Sequence, residues 1–329
     1  ADKKVQFSTG NLQYHVGDKT WGFAANQYDV VGADNINLGE PTYTGLIDMF
    51  GWSTTSTYYG AEPSYSDAAY TGDFVDWGTL FGDEGWYTMS TTEWNYLLYS
   101  RPNASQLKQV AKVGKTFGIL LFPDDWVMPV GINVGITTGE DNEKYYAYTL
   151  EQWQQLEKAG AVFMPAAGRR LGGAGNTTDL NLTEHDNKYS LQYATNYYGY
   201  YWTSSQQANG KADFLINCTP LGDDKYIMGP FVIWSEMPRY GQSVRLVRKC
   251  ADLQVVEWKN DGLVVMYNGN TADTKASVNN ATPVSVELTS VDHAVYKIPV
   301  SELATSQSLE LSIGAEKQAM TIPYIATGE

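Results

Sequence analysis

Cysteine and histidine are scarce in this 329-residue sequence, and each shortage narrows the chemistry it can support. Only Cys218 and Cys250 occur, and they form no CxxC pair, so zinc and redox motifs of that type are excluded. Two alternatives stay open for these thiols: a disulfide formed in an oxidising compartment, or two unpaired residues in the core. His15, His185 and His293 are remote from one another and lack ligand spacing, so no metal centre and no histidine-based catalytic site is predicted.

Positive charge and long apolar runs are also lacking. The 22 Lys and Arg residues are outnumbered by 37 Asp and Glu, which gives a formal net charge of −15. A surface of this sign repels phosphate backbones and anionic lipid, so nucleic acid is excluded as a partner. No apolar run reaches the length of a transmembrane helix, and no membrane-spanning segment is predicted.

Aromatic residues, in contrast, are abundant and unevenly distributed. The chain has 10 Trp, 24 Tyr and 10 Phe, yet few of them follow residue 250: Trp258, Tyr267, Tyr296 and Tyr324. This shift predicts two domains, 1–250 and 251–329. The tail holds short β-branched or alternating runs, with hairpin-type turns after the first two, and this pattern predicts a small all-β immunoglobulin-like sandwich. The predicted strands are 253–258, 263–267, 284–289, 294–299, 308–313 and 319–324.

The first domain shows an α+β pattern with two helix starts. Ser90 with Glu93, and Thr149 with Gln152, each form a capping box, and Gly160 is expected to end the second helix. Strands and long loops make up the rest. Strands are predicted at 118–122, 161–165, 199–203, 211–218 and 243–249, and long loops at 53–79, 125–147 and 168–198.

Six separated blocks of residues 1–250 resemble known proteins, in the right order. FSTGNLQY at 7–14 and GLIDMFGW at 45–52 are similar to secreted gut-bacterial surface proteins of the Bacteroidetes type. YTMSTTEW at 87–94, FMPAAGRR at 163–170, YYWTSS at 200–205 and GQSVRLVR at 241–248 resemble the sulfatase-modifying-factor (formylglycine-generating) superfamily. The resemblance implies a C-type-lectin-like domain over 1–250. It also implies a secreted protein or a lipoprotein on the outer surface of a Gram-negative bacterium, with any lipid anchor outside this sequence.

The sequence does not supply the catalytic chemistry of that superfamily. Its formylglycine-generating enzymes use a cysteine pair that binds copper, and neither Cys218 nor Cys250 lies in that motif, so an oxidase is the weakest interpretation. The segment 124–126 is best interpreted as a turn. Calcium binding by the two carboxylates, Asp124 and Asp125, stays open as an alternative. We therefore expect a protein that is not an enzyme and has no required cofactor or metal.

Exposed tyrosine and tryptophan provide large, rigid contact surfaces with a polar group, which suits both sugars and proteins. The function predicted is a binding protein or adhesin that recognises a carbohydrate or protein ligand through aromatic loops. The alternative is a structural subunit, at the tip or in the stalk of a surface appendage. Arg169 is expected in a flexible loop, held by an ion pair. The predicted ligand-binding residues are Tyr198, Trp202, Tyr226, Trp234, Arg239 and Tyr240.

Overall fold

The computed structural model is mostly β-sheet with few helices. It describes residues 5–37, 42–53, 72–124, 126–138, 144–170, 198–218, 231–236, 238, 240–249, 252–259, 262–268, 276–278, 285–290, 293–298, 309–313 and 316–320. The chain divides into two compact units. The larger unit contains residues 7–80 and 86–247, and the smaller contains 1–6, 81–85 and 248–329. The boundary predicted at residue 250 stays a prediction, because the smaller unit also takes in two short stretches from the N-terminal part of the chain.

Fourteen strands precede residue 250 in the described part of the chain. They are β1 (Val5–Phe7), β2 (Leu12–His15), β3 (Thr20–Phe23), β4 (Leu46–Ile47), β5 (Trp86–Thr88), β6 (Lys108–Val113), β7 (Thr116–Leu121), β8 (Ile136–Thr138), β9 (Lys144–Tyr148), β10 (Val162–Pro165), β11 (Tyr198–Gln206), β12 (Ala212–Cys218), β13 (Phe231–Glu236) and β14 (Leu246–Lys249). Their sheets have the orders β10–β7–β6–β9–β8, β11–β12–β13, β3–β2–β4 and β1–β14–β5. All pairs in the first sheet are antiparallel except β6 with β9.

Both predicted helix starts are confirmed. In α1 (Thr91–Asn95), the Ser90 hydroxyl accepts from the backbone N–H of Glu93, whose carboxylate accepts from the Ser90 N–H. The helix continues as one π-helical turn, Tyr96–Ser100. Two 3₁₀ segments, Gly32–Asn37 and Trp77–Glu84, are the remaining helical elements described.

The second helix, α2 (Leu150–Lys158), covers one face of the five-stranded sheet. Thr149 and Gln152 close its capping box, and Gly160 follows the helix with a φ of +95°, which an L side chain rarely adopts. Trp153 and Leu156 are fully buried and pack in a cluster with core residues of the sheet. Leu150, the first residue of the helix, is 41% exposed. The helix therefore anchors the core through Trp153 and Leu156.

A buried polar network holds the segment that leads into β14. Arg245 is 1% exposed, and its guanidinium donates to the Gln27 Oε1 at 2.6 Å and to the Asn11 Oδ1 at 3.4 Å. Burial lowers the pKa of Arg245 to about 10, against the opposing influence of Tyr201 and Glu157. The Gln27 amide in turn donates to Glu157 at 2.9 Å. A loop near the N-terminus, α2 and the residues before β14 are thereby joined.

Seven strands are described beyond residue 250. They are β15 (Asp252–Lys259), β16 (Gly262–Asn268), β17 (Ala276–Val278), β18 (Ser285–Ser290), β19 (His293–Ile298), β20 (Leu309–Ile313) and β21 (Glu316–Met320). They form two antiparallel sheets with the orders β15–β16–β19–β18 and β17–β20–β21. Five of the six predicted strands overlap an observed one closely. The last lies earlier than the predicted 319–324, and β17 was not predicted.

None of the helices among the described residues has both the length and the apolar character needed to cross a membrane.

Candidate functional site

One face of the sheet β11–β12–β13 carries a row of aromatic side chains. Trp202, Phe214 and Trp234 are cross-strand partners, so their side chains point to the same face. Trp202 is 1% exposed and its indole N–H donates to the Phe50 carbonyl at 2.7 Å. Phe214 is fully buried, whereas Trp234 on the outer strand is 45% exposed. The row therefore runs from the core to an exposed edge.

Two short backbone bridges bring distant chain segments to the other side of β11. The Ser243 N–H donates to the Tyr200 carbonyl at 2.9 Å, and the Trp202 N–H donates to the Ser243 carbonyl at 3.0 Å. Arg170 and Gly241 exchange both of their backbone hydrogen bonds, at 2.7 and 2.8 Å. Residues near 170, 200 and 241 thus meet although long stretches of sequence separate them.

An arginine and three tyrosines meet at this junction. The guanidinium carbon of Arg169 lies 4.5 Å from the ring centroid of Tyr200 and 5.7 Å from that of Tyr240, both within the range of a cation–π contact. The rings of Tyr198 and Tyr200 lie 6.0 Å apart with an interplanar angle of 44°. Tyr200 is buried, while the other three side chains are partly exposed. We call these four residues the tyrosine–arginine patch.

The pairing of the strands places Gln242 on the same face as this patch. Arg170 and Gly241 are directly opposite in an antiparallel bridge, so the next pair outwards is Arg169 with Gln242. Opposite residues share a face and neighbouring residues alternate, which turns Arg169 and Gln242 to one side and the Arg170–Gly241 pair to the other. Tyr240 lies two residues before Gln242 and shares its side.

A second bridge leads to the same position for Gln242. Tyr201 and Ser243 are partners in a parallel bridge, so Tyr200 and Gln242 are neighbours on the opposite face. Gln242 is fully buried, and neither its amide nitrogen nor its amide oxygen has a hydrogen-bond partner among the described residues. A buried polar group with an unused donor and acceptor therefore lies on the same face of this junction as the patch residues.

The described contacts of the Arg169 side chain are with aromatic rings. Arg101, by comparison, forms an ion pair with Asp124 at 2.9 Å. Among the described residues, Arg169 has no ion-pair or hydrogen-bond partner, and its guanidinium lies over the two tyrosine rings. The predicted ion pair of Arg169 therefore stays a prediction.

Three of the predicted ligand-binding residues lie at two surfaces. Tyr198 and Tyr240 belong to the tyrosine–arginine patch, and Trp234 lies at the edge strand. On the sheet face between them, Phe214 is 0% and Ile216 2% exposed. The two surfaces are separated by covered core residues.

The other predicted residues do not add to either surface. The position of Trp202 in the core argues against direct contact with a ligand, because its ring is covered and its indole N–H is already bonded. Tyr226 and Arg239 lie outside the described residues.

The described residues add little to the predictions on metals and thiols. Asp124 of the suggested calcium turn is paired with Arg101, and Asp125 lies outside the described residues. No group of three or more His, Cys, Asp or Glu side chains in the described part of the chain could hold a metal ion. Cys250 and the side chain of Cys218 also lie outside, so the disulfide and the two-thiol alternatives both stay open.

The sequence analysis did not predict that Arg169 belongs to the patch or that Gln242 lies on the same face as the patch. The alternation of Tyr198 and Tyr200 along a strand was a usable signal, since residues two apart share a face. No local pattern, however, indicates that Arg169 lies against Tyr240. That contact depends on a bridge between residues far apart in the sequence.

Comparison of the chain with protein-family models, with curated proteins and with solved structures gave no match. The function is therefore inferred from the geometry of the site.

Proposed function

We propose that this chain is a non-catalytic binding protein that recognises a carbohydrate through the tyrosine–arginine patch. The observation that carries the proposal is the guanidinium of Arg169, which lies over two tyrosine rings and has no hydrogen-bond or ion-pair partner in the described part of the chain. A charged group in that state has donors to offer a ligand.

The composition of the patch suits a sugar. Tyrosine rings present apolar faces to the C–H groups of a sugar ring, and phenolic hydroxyls can exchange hydrogen bonds with its hydroxyl groups. Arg169 adds several N–H donors in a fixed plane. Tyr200 is 8% exposed, so it supports Arg169 from below, and Tyr198 and Tyr240 are the rings that a ligand can reach.

The size of the patch favours a sugar over a protein partner. A stable protein–protein interface buries about 800 Å² on each side, with roughly 20 residues contributing. The four side chains described at the patch, one of them buried, match the smaller area that one or two sugar rings require.

The wider context belongs to the same proposal. A C-type-lectin-like domain followed by an immunoglobulin-like sandwich, displayed on the outer surface of a Gram-negative bacterium, is supported by the sequence blocks that resemble such proteins. The sheet-rich structure of both units is compatible with this arrangement.

Binding to a broad glycan array tests the proposal. We expect the wild type to bind at least one glycan and Tyr198→Ala combined with Tyr240→Ala to weaken that binding by about tenfold or more, as loss of aromatic contact residues does. Tyr96→Ala is the matched control, because Tyr96 is 51% exposed on the π-helical turn after α1.

A loss of binding counts against a side chain only if the variant is still folded. Circular dichroism and thermal unfolding of each variant establish that the fold is intact. Equal loss of binding in Tyr96→Ala and in the double variant would remove the patch from the proposal, and absence of binding to every glycan would remove the carbohydrate.

A further inference from the structure

We propose that the ligand carries a carboxylate, as uronic and sialic acids do, and that Arg169 binds this group. The inference rests on the proposed function and adds the chemical class of the ligand. It concerns the residue that sequence reasoning assigned to a structural ion pair.

The contacts of the Arg169 guanidinium are the first step. Its central carbon lies 4.5 Å from the ring centroid of Tyr200 and 5.7 Å from that of Tyr240, and neither contact is a hydrogen bond. The N–H donors of the guanidinium are therefore not used by the described residues. Two parallel N–H groups match the two oxygens of a carboxylate, and this pairing is among the strongest hydrogen-bonding arrangements in proteins.

The charge balance of the chain is the second step. The chain has 37 acidic and 22 basic residues, so carboxylates outnumber the cations with which they could pair. Arg101 has one in Asp124 at 2.9 Å. Arg169 has none in the described part of the chain, so no described carboxylate competes with a ligand for its charge.

Gln242 is the third and independent observation. Its amide lies on the same face as Arg169, is fully buried, and has no hydrogen-bond partner among the described residues. A buried amide without partners lowers stability, and such groups persist where function requires them. The unpaired amide of Gln242 therefore leaves one donor group and one acceptor on the face that carries Arg169.

The direct test compares acidic sugars with their neutral counterparts by calorimetry. The probes are trigalacturonate with its carboxyl-reduced form, and sialyllactose with lactose, so that the two pairs distinguish uronic from sialic acids. We expect wild type to bind at least one acidic probe roughly 10- to 100-fold more tightly than its neutral form, as one charged hydrogen-bonded pair would give. Arg169→Gln is expected to remove this preference while it retains weak binding of the neutral form.

Lys112→Gln is the matched control, because the Lys112 ammonium also lies over an aromatic ring, 5.1 Å from the centroid of Phe117, and neither residue belongs to the patch. It should bind as the wild type does. Arg169→Lys should bind the acidic probe more weakly than wild type, since it keeps the charge but loses the planar pair of donors.

Each outcome bears on a different statement. Equal binding of acidic and neutral sugars by the wild type, or an undiminished preference in Arg169→Gln, overturns the carboxylate inference and leaves the proposed function standing. Failure to bind any sugar, acidic or neutral, overturns both.

Discussion

Replacement of Gln242 by methionine is expected to make the protein more stable. The two residues have similar length and volume, so the core keeps its packing. The change removes an amide nitrogen and an amide oxygen that are buried without partners in the described part of the chain. Most core substitutions destabilise a protein. A higher free energy of unfolding in Gln242→Met would therefore set this substitution apart from them.

The magnitude follows from the cost of burying unpaired polar groups. A buried donor or acceptor without a partner costs about 1–3 kcal/mol, and replacement by an apolar group of the same shape recovers much of that cost. We therefore expect the free energy of unfolding to rise by about 1–3 kcal/mol. For a unit of this size, each kcal/mol corresponds to a rise of roughly 2–4 °C in Tm.

Urea denaturation followed by tryptophan fluorescence measures this change. Trp258 is the only tryptophan after residue 250, so the signal reports mainly on the larger unit. Gln106→Met, at an exposed position, controls for the exchange of glutamine for methionine away from the core. A loss of 1 kcal/mol or more in Gln242→Met would mean that the amide is hydrogen-bonded in solution, for example to a buried water, and would refute the reasoning.

The other predictions concern pH and backbone packing. Burial raises the pKa of Asp48 above its ordinary value of 3.8, so its contribution to stability is fully present below that value and is lost as the pH rises through the higher folded pKa. Asp48→Asn should flatten this part of a stability–pH profile measured by urea denaturation, and an unchanged profile would assign the dependence to other groups. A Cβ added to Gly78 would lie 1.8 Å from the Trp86 carbonyl oxygen, so Gly78→Ala should lower the free energy of unfolding by about 1–3 kcal/mol or more. Gly22→Ala, where a Cβ would meet nothing within 4 Å, is its control, and equal effects would contradict the packing argument.

The parts of the fold that depend on local chemistry could be predicted from the sequence. The capping boxes at Ser90 and Thr149 fix the two helix starts through bonds between residues three apart. The tail strands follow from alternation between turn residues. The stretch 125–147 was expected to be a loop, yet it contains β8 and all of β9 except Tyr148. The parallel pairing of β9 with β6, a long way back in the sequence, stabilises a strand that its own residues indicate only weakly.

The candidate site could be predicted only in part, for the same reason. Tyr198 and Tyr240 were chosen as exposed aromatic residues, and the structure leaves both partly exposed. Trp202 was also predicted to contact the ligand. Its strand lies between β12 and the segment at 243, and this central position covers its ring. Arg169 joins the site through a bridge of two backbone hydrogen bonds, which no spacing of residue types indicates.

Close approach of two backbones explains why this site takes the form it does. A Cβ on Gly241 would lie 2.9 Å from the Nη2 of Arg170 and 3.0 Å from its Cβ, closer than such atoms normally come. Glycine at 241 therefore allows the bridge to Arg170, and the bridge turns the neighbouring side chain of Arg169 towards Tyr200 and Tyr240. Because the arginine is positioned by the paired backbone and by its contacts with two rings, little side-chain entropy remains to be lost when it binds a ligand. A single well-positioned cation can then select an anionic group even on a protein whose overall charge is strongly negative, since charges farther than about 8–10 Å are screened at physiological ionic strength.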